Sequence, residues 1–275
     1  MRHLQWTLST VLVVCLVAGC TTMESASRGT SAKPVIDRVT SRGELRVGMS
    51  GGMPPLNMLS KTDKLMGMDV DLAGMIAATL GVRLVVLKIP FPDLLPALEK
   101  GTVDLVISNM TITPERSKRV AFAGPYFVSG KALLTKRSTL ANARSGAELN
   151  SSAFRFVALK SSTSQAFIQK EAPAARLFTT RSEEEAIQMV IGDKADAMIA
   201  DYPICRVALL LNPDAGLASF VVPLTAEPIG IAVPKEDPLL VSWLGNFLVS
   251  LQTTKQLEAL QNKWFNNPEW LSQMK

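Results

Sequence analysis

The sequence predicts an α/β protein folded as two similar halves, and three observations carry that expectation. Apolar runs of strand character alternate with segments of helical period through the roughly 240 residues beyond residue 36. The run Gly101-Thr102-Val103-Asp104-Leu105-Val106-Ile107-Ser108 in the first half is echoed by Gly192-Asp193-Lys194-Ala195-Asp196-Ala197-Met198-Ile199-Ala200-Asp201 in the second. Each echo ends in a polar residue at the carboxyl end of a strand, where open α/β sheets place their ligands.

Strand 45–49 opens the first half. Helix 69–80 follows, with Leu72, Met75, Ile76 and Leu80 at helical spacing and Gly81 at its stop. Residues 82–87 read as strand, 94–100 as a short helix ended by Gly101, and 103–107 as a buried strand. Thr113 as N-cap, Pro114 at the first helical position and Glu115 in the first turn mark the next helix start. Strand 131–136 leads out, and the pattern restarts with strand 154–158, helix 163–171 and strand 176–179. Ser182 caps a helix reaching residue 191, with Glu183, Glu184 and Glu185 in its first turn. Strand 195–200 and helix 202–211 complete the second half. Residues 229–233 lead back before the terminal helices, so the first lobe is discontinuous. The expected lobes are 37–131 plus 232–275, and 132–231 including the hinge strands. Two connecting strands permit closure around a ligand.

The chain begins with a positive Met1-Arg2-His3 and an apolar core over 8–18, too short for the roughly 20 residues a bilayer needs. Residues 1–19 read as a signal peptide. The end of that segment, Val17-Ala18-Gly19-Cys20, resembles a bacterial lipobox, which makes Cys20 the acylated first residue of a lipoprotein. Residues 20–36 are small and polar and read as a flexible tether. Beyond them no apolar run is long enough to span a membrane. Of three cysteines only Cys205 remains in the body, and the one histidine, His3, leaves with the signal. No intramolecular disulfide, metal cluster or Cys–His nucleophile is therefore expected, and Cys205 reads as a buried apolar residue. The net charge of +5 is spread among acidic residues, with no nucleic-acid patch. No cofactor motif is present.

Ser108, Asn109, Thr111 and Arg116 crowd the junction between a strand end and a helix start. Such a junction suits a small carboxylate held by backbone N–H groups and a guanidinium. It equally suits a capped surface helix with Arg116 in water.

The chain resembles the amino-acid-type extracellular solute-binding proteins of ABC importers, the periplasmic binding proteins. The segments that carry the resemblance are Leu45-Arg46-Val47-Gly48, Gly67-Met68-Asp69-Val70-Asp71-Leu72, Leu94-Leu95-Pro96-Ala97-Leu98, Ile112-Thr113-Pro114-Glu115-Arg116, Phe122-Ala123-Gly124-Pro125-Tyr126 and Gly230-Ile231-Ala232-Val233. The resemblance implies a type II two-lobed fold, each lobe a mainly parallel sheet flanked by helices, with a ligand cleft between them. It implies a periplasmic monomer, lipid-anchored to an inner or outer membrane, that delivers an amino acid to an ABC permease.

By the same resemblance Arg116 clamps the ligand α-carboxylate, assisted by Thr111 and Thr163. Ser108 receives the α-ammonium, and Asp201 supplies its carboxylate partner. A zwitterion needs such a cationic fork and anionic acceptor set apart. Asp201 also fits a helix N-cap.

The departures bear on the side-chain pocket. Met53 and Leu56 stand where the family places an aromatic, Phe91 lies on the opposite wall, and Ser50 replaces the acid of basic-amino-acid binders. Met110 and Tyr202 fit either the pocket or the core, Asn109 and Gln165 offer polar readout, and Lys160 leaves an anionic side chain open. A neutral or apolar ligand side chain is the expectation. Two other readings share the fold. A cyclohexadienyl-dehydratase-like enzyme needs a general acid where this chain has Gln165, and an amide cannot supply one. A lipoprotein that reports its ligand to a sensor kinase needs the same closing cleft as a transporter.

Overall fold

The computed structural model describes residues 33–143, 146–220 and 223–275. The expected signal peptide, Cys20 and most of the tether lie outside them. In the first lobe, α1 (Val35–Arg42) precedes β1 (Glu44–Met49), and β2 (Gly52–Met53), β3 (Asn57–Leu59) and β4 (Leu65–Met66) form a small antiparallel sheet. Then come α2 (Met68–Thr79), β5 (Arg83–Lys88), α3 (Leu94–Glu99), β6 (Leu105–Val106), α4 (Pro114–Ser117) and β7 (Val120–Ser129). The second lobe carries β8 (Lys131–Thr135), α5 (Ser138–Ala141), α6 (Gly146–Leu149), β9 (Arg155–Leu159), α7 (Thr163–Glu171) and β10 (Arg176–Thr180). It continues with α8 (Glu183–Ile191), β11 (Ala197–Asp201), α9 (Tyr202–Leu211) and β12 (Ala218–Ser219). The chain returns through β13 (Glu227–Pro234) to α10 (Pro238–Thr253) and α11 (Gln256–Gln261).

Each lobe is built on a five-stranded sheet, in the order β5-β1-β6-β13-β7 for the first and β10-β9-β11-β8-β12 for the second. The sheets are mixed rather than mainly parallel. β5-β1-β6 and β10-β9-β11 run parallel, while β13, β7, β8 and β12 pair antiparallel. The cause is the connection: β7 runs into β8 through Gly130 alone, so β8 enters the second sheet against the direction of its parallel strands. The return crossing falls earlier than expected, because Glu227, Pro228 and Ile229 already pair with Ser129, Val128 and Phe127 in the first sheet. The two crossings touch. Leu224 N–H donates to Lys131 O at 2.7 Å, and a Cβ on Gly130 would stand 2.0 Å from Thr225 O, so only glycine fits there.

The helices follow the local chemistry read from the sequence. Thr113, Ser162 and Ser182 each accept from a first-turn N–H with the side-chain oxygen, starting α4, α7 and α8. Among the described residues one apolar cluster packs α1, α2, α10 and α11 on the first sheet, around Leu72, Ile76, Leu244 and Trp264. A second sits around Phe156 and Ile168 in the other lobe. A third joins both lobes, from Met53, Phe91 and Leu94 to Val157, Ala186 and Met198. No described helix is long and apolar enough to cross a membrane.

Candidate functional site

The carboxyl ends of β6 and β11 bring the candidate residues to one place, as open-sheet topology requires. Met53, Phe91, Asn109, Thr111, Arg116, Thr163 and Asp201 line a single cleft between the lobes, and Lys131, Leu159, Ser162, Ser164 and Glu183 complete it. The space between these side chains is closed to about 10 Å³.

Arg116 faces the cleft rather than water. Its Nη1 donates to Thr111 O at 2.8 Å and its Nη2 to Ser161 O at 3.2 Å, while the guanidinium lies over the Phe91 ring at 5.6 Å. Burial lowers its pKa to about 10, against the opposing charges of Glu227 and Asp201, so it stays cationic at neutral pH.

Asn109 sits at φ 49°, in the left-handed region that asparagine tolerates. Its N–H donates to Asp69 Oδ2 at 3.1 Å, and Asp69 is fixed in turn by Tyr126 Oη at 2.6 Å and Asn57 Nδ2 at 2.7 Å. Burial outweighs these three bonds and raises the Asp69 carboxyl to about 6. Ser108 belongs to this support and not to the cleft wall: its Oγ accepts from Ser50 N–H at 2.9 Å and donates to Ser50 Oγ. The Ser108 hydroxyl thus turns back toward β1, which leaves its strand end rather than its side chain to face a ligand.

Asp201 is buried, with Oδ2 accepting from Asn109 Nδ2 at 2.5 Å and Oδ1 from Lys131 Nζ. It makes no side-chain cap bond to α9. Lys131 Nζ also meets Glu227 Oε2 at 2.9 Å. Burial opposes the lysine charge, but the two carboxylates outweigh it and raise its pKa. Glu227 Oε2 further accepts from Thr111 Oγ1 at 3.0 Å and Thr163 Oγ1 at 2.7 Å. The hydroxyls expected to serve a ligand carboxylate thus serve an internal one. A buried carboxylate beside Lys131 needs those donors. Burial raises the Glu227 pKa, yet Lys131 and the two hydroxyls hold it below the ordinary value.

Glu183, at the start of α8, is 5% exposed, and its Oε2 has no hydrogen-bond partner among the described residues. Burial, aided by the charge of Asp201 and opposed by Lys131, pushes this carboxyl up to about 8. Asn109 Oδ1 is likewise buried without a partner.

Sequence reasoning missed Lys131, Glu183 and Glu227 as site residues. Lys131 alone left a trace, a charge opening a strand whose middle is Ala132-Leu133-Leu134. Met110 packs in the core, Tyr202 lines a separate groove beside Trp264, and Gln165 Oε1 accepts from Ser161 N–H at 2.8 Å outside the cleft. Cys205 is buried, and burial raises its thiol pKa far from reactivity. Among the described residues no group of three His, Cys, Asp or Glu is arranged to hold a metal.

Comparison with known proteins gives this geometry a context. Residues 45–267 match the sequence pattern of the bacterial extracellular solute-binding proteins, family 3. The ABC transporter arginine-binding protein 1 of Escherichia coli K12 is 26% identical over 228 residues, 81% of this chain and 90% of that protein. The ABC transporter glutamine-binding protein GlnH of Bacillus subtilis 168 is 30% identical over 204 residues, 72% of each chain. Among solved structures, the ancestral amino acid-binding protein AncCDT-1, a precursor of cyclohexadienyl dehydratase, superposes with a TM-score of 0.76 at 32% identity, over 84% of this chain and 99% of that one.

Proposed function

The chain belongs to family 3 of the bacterial extracellular solute-binding proteins, and from that membership we propose that it captures an amino acid in the interlobe cleft and delivers it to an ABC permease. The observation that carries the reading is the opposition, within one cleft, of the Arg116 guanidinium and the Asp201–Asn109 pair. Arg116 takes the ligand carboxylate through a charge-assisted bond. Asp201 and the unpartnered Asn109 Oδ1 take the ammonium. Thr111 and Thr163 act at one remove, by holding Glu227 and through it Lys131.

The four formal charges of Arg116, Lys131, Asp201 and Glu227 cancel. A zwitterion with an uncharged side chain keeps that balance, which supports a neutral ligand. Binding rather than dehydration is the reading we adopt, since Gln165 cannot act as a general acid and its amide is turned away to Ser161. Outside the described residues, the lipobox-like run ending at Cys20 supports a lipid-anchored, periplasmic form, which we propose acts as a monomer.

Calorimetric titration with the amino acids tests the proposal. A ligand should bind at micromolar Kd or tighter, about −8 kcal/mol. Arg116→Ala should weaken it by about tenfold or more while leaving the far-ultraviolet spectrum intact. Silence across the whole panel refutes the reading.

A further inference from the structure

Glu183 is a buried carboxyl that the zwitterion clamp does not use. It reaches the cleft from the second lobe, at the head of α8, and α8 packs against β2 of the first lobe. That position puts it in one cleft with Met53 of the apolar wall, and near enough to Asp201 and Lys131 for their charges to act on it. Its Oε2 is shut off from water and from every described donor or acceptor. A polar atom so placed is costly unless something bonds to it, and its surroundings in the cleft leave a bound molecule as the partner.

The charges around it decide what that partner carries. Asp201 and Glu227 on one side and Arg116 and Lys131 on the other already cancel, so an ionised Glu183 would leave a net negative charge in a desolvated cleft. A neutral carboxylic acid has one proton to give, and its complement is an uncharged acceptor.

Resting on the amino-acid reading above, we infer that Glu183 selects the ligand by its side chain, donating a hydrogen bond as a carboxylic acid to the carbonyl of a side-chain amide, so that glutamine or asparagine is the class of ligand this cleft takes. Burial and the charge of Asp201 both favour the protonated form. Met53 and Phe91 then cover the methylene part of the same side chain.

The test is calorimetry on the full-length protein with L-glutamine, L-asparagine, L-methionine and L-arginine, using wild type, Glu183→Gln and Glu183→Leu. Wild type should bind one of the two amides at least about tenfold tighter than methionine, because a site built for a polar partner rejects an analogue lacking it. Glu183→Gln retains a donor and should keep the amide ligand within about threefold, whereas Glu183→Leu should lose about tenfold or more and leave methionine binding no weaker. Both variants remove an unpaired buried carboxyl, so each should melt no lower than wild type, which separates lost recognition from lost folding. Equal affinity for glutamine and methionine in wild type overturns the inference alone, as does tightest binding of arginine with loss in Glu183→Gln, which would mark Glu183 as a carboxylate. Silence of wild type toward all four ligands and the wider panel overturns the amino-acid reading, and this inference with it.

Discussion

Replacing Glu183 by glutamine should change how the stability of this protein depends on pH, and by an amount the structure sets. The carboxyl is buried in the cleft that Asp201, Lys131 and Arg116 also line, and its pKa rises from 4.5 to about 8. Between those values the folded state holds a proton that the unfolded chain has released. The native state therefore binds more protons, and stability falls as pH rises through that window. Each pH unit over which the difference is complete costs about 1.4 kcal/mol. From pH 5 to pH 7 the Glu183 contribution is roughly 2 to 3 kcal/mol. Asp69, raised from 3.8 to about 6, acts in the same direction and adds about 1 kcal/mol. The one histidine in the sequence is His3, so the folded body adds no imidazole titration of its own. Denaturant unfolding followed by circular dichroism at pH 5, 6 and 7 gives the slope for wild type and for Glu183→Gln. Wild type should lose roughly 3 to 4 kcal/mol across the range and the variant only about 1. Parallel slopes for the two proteins would refute the reasoning.

Lys131→Met should strand Asp201 and Glu227 without their cation in a buried site, costing about 3–5 kcal/mol in denaturant unfolding. Adding Glu227→Gln to it should recover part of that loss, and strict additivity of the two changes would show that the pair is not coupled. Cys20→Ser should move the protein from the membrane fraction to the soluble extract, and continued sedimentation with membranes would defeat the lipid anchor.

The alternation of elements could be read from the chain because its punctuation is local. Thr113, Ser162 and Ser182 mark helix starts with their own side chains, and α7 begins and ends where its pattern does. The small sheet of β2, β3 and β4 escaped notice, since two- and three-residue strands in a Gly- and Pro-rich stretch show no period to detect. Seven residues of the expected site meet in the cleft because their strand ends are fixed by topology. What sequence reasoning could not supply was the pairing within the site. Lys131, Asp201 and Glu227 are 70 and 26 residues apart in sequence and become neighbours only when β8, β11 and β13 are placed. Glu183 was hidden for another reason. It is one of three successive glutamates, and helix-start chemistry explains all three equally well, although only the first is buried.

The polar ties between the lobes give the cleft the mechanics of a latch. Arg116 to Ser161 O, Asn109 to Asp201, and Arg181 to Asp93 each reach from one lobe to the other, and Glu227 is gripped at once by Thr111 and Thr163. Hydrogen bonds of this kind fail within about an ångström of stretch. The polar share of the resistance to separating the lobes is therefore concentrated in the first small displacement, beyond which the apolar cluster that joins both lobes is what remains. A spring would pull back throughout its travel; these contacts hold firmly and then release together.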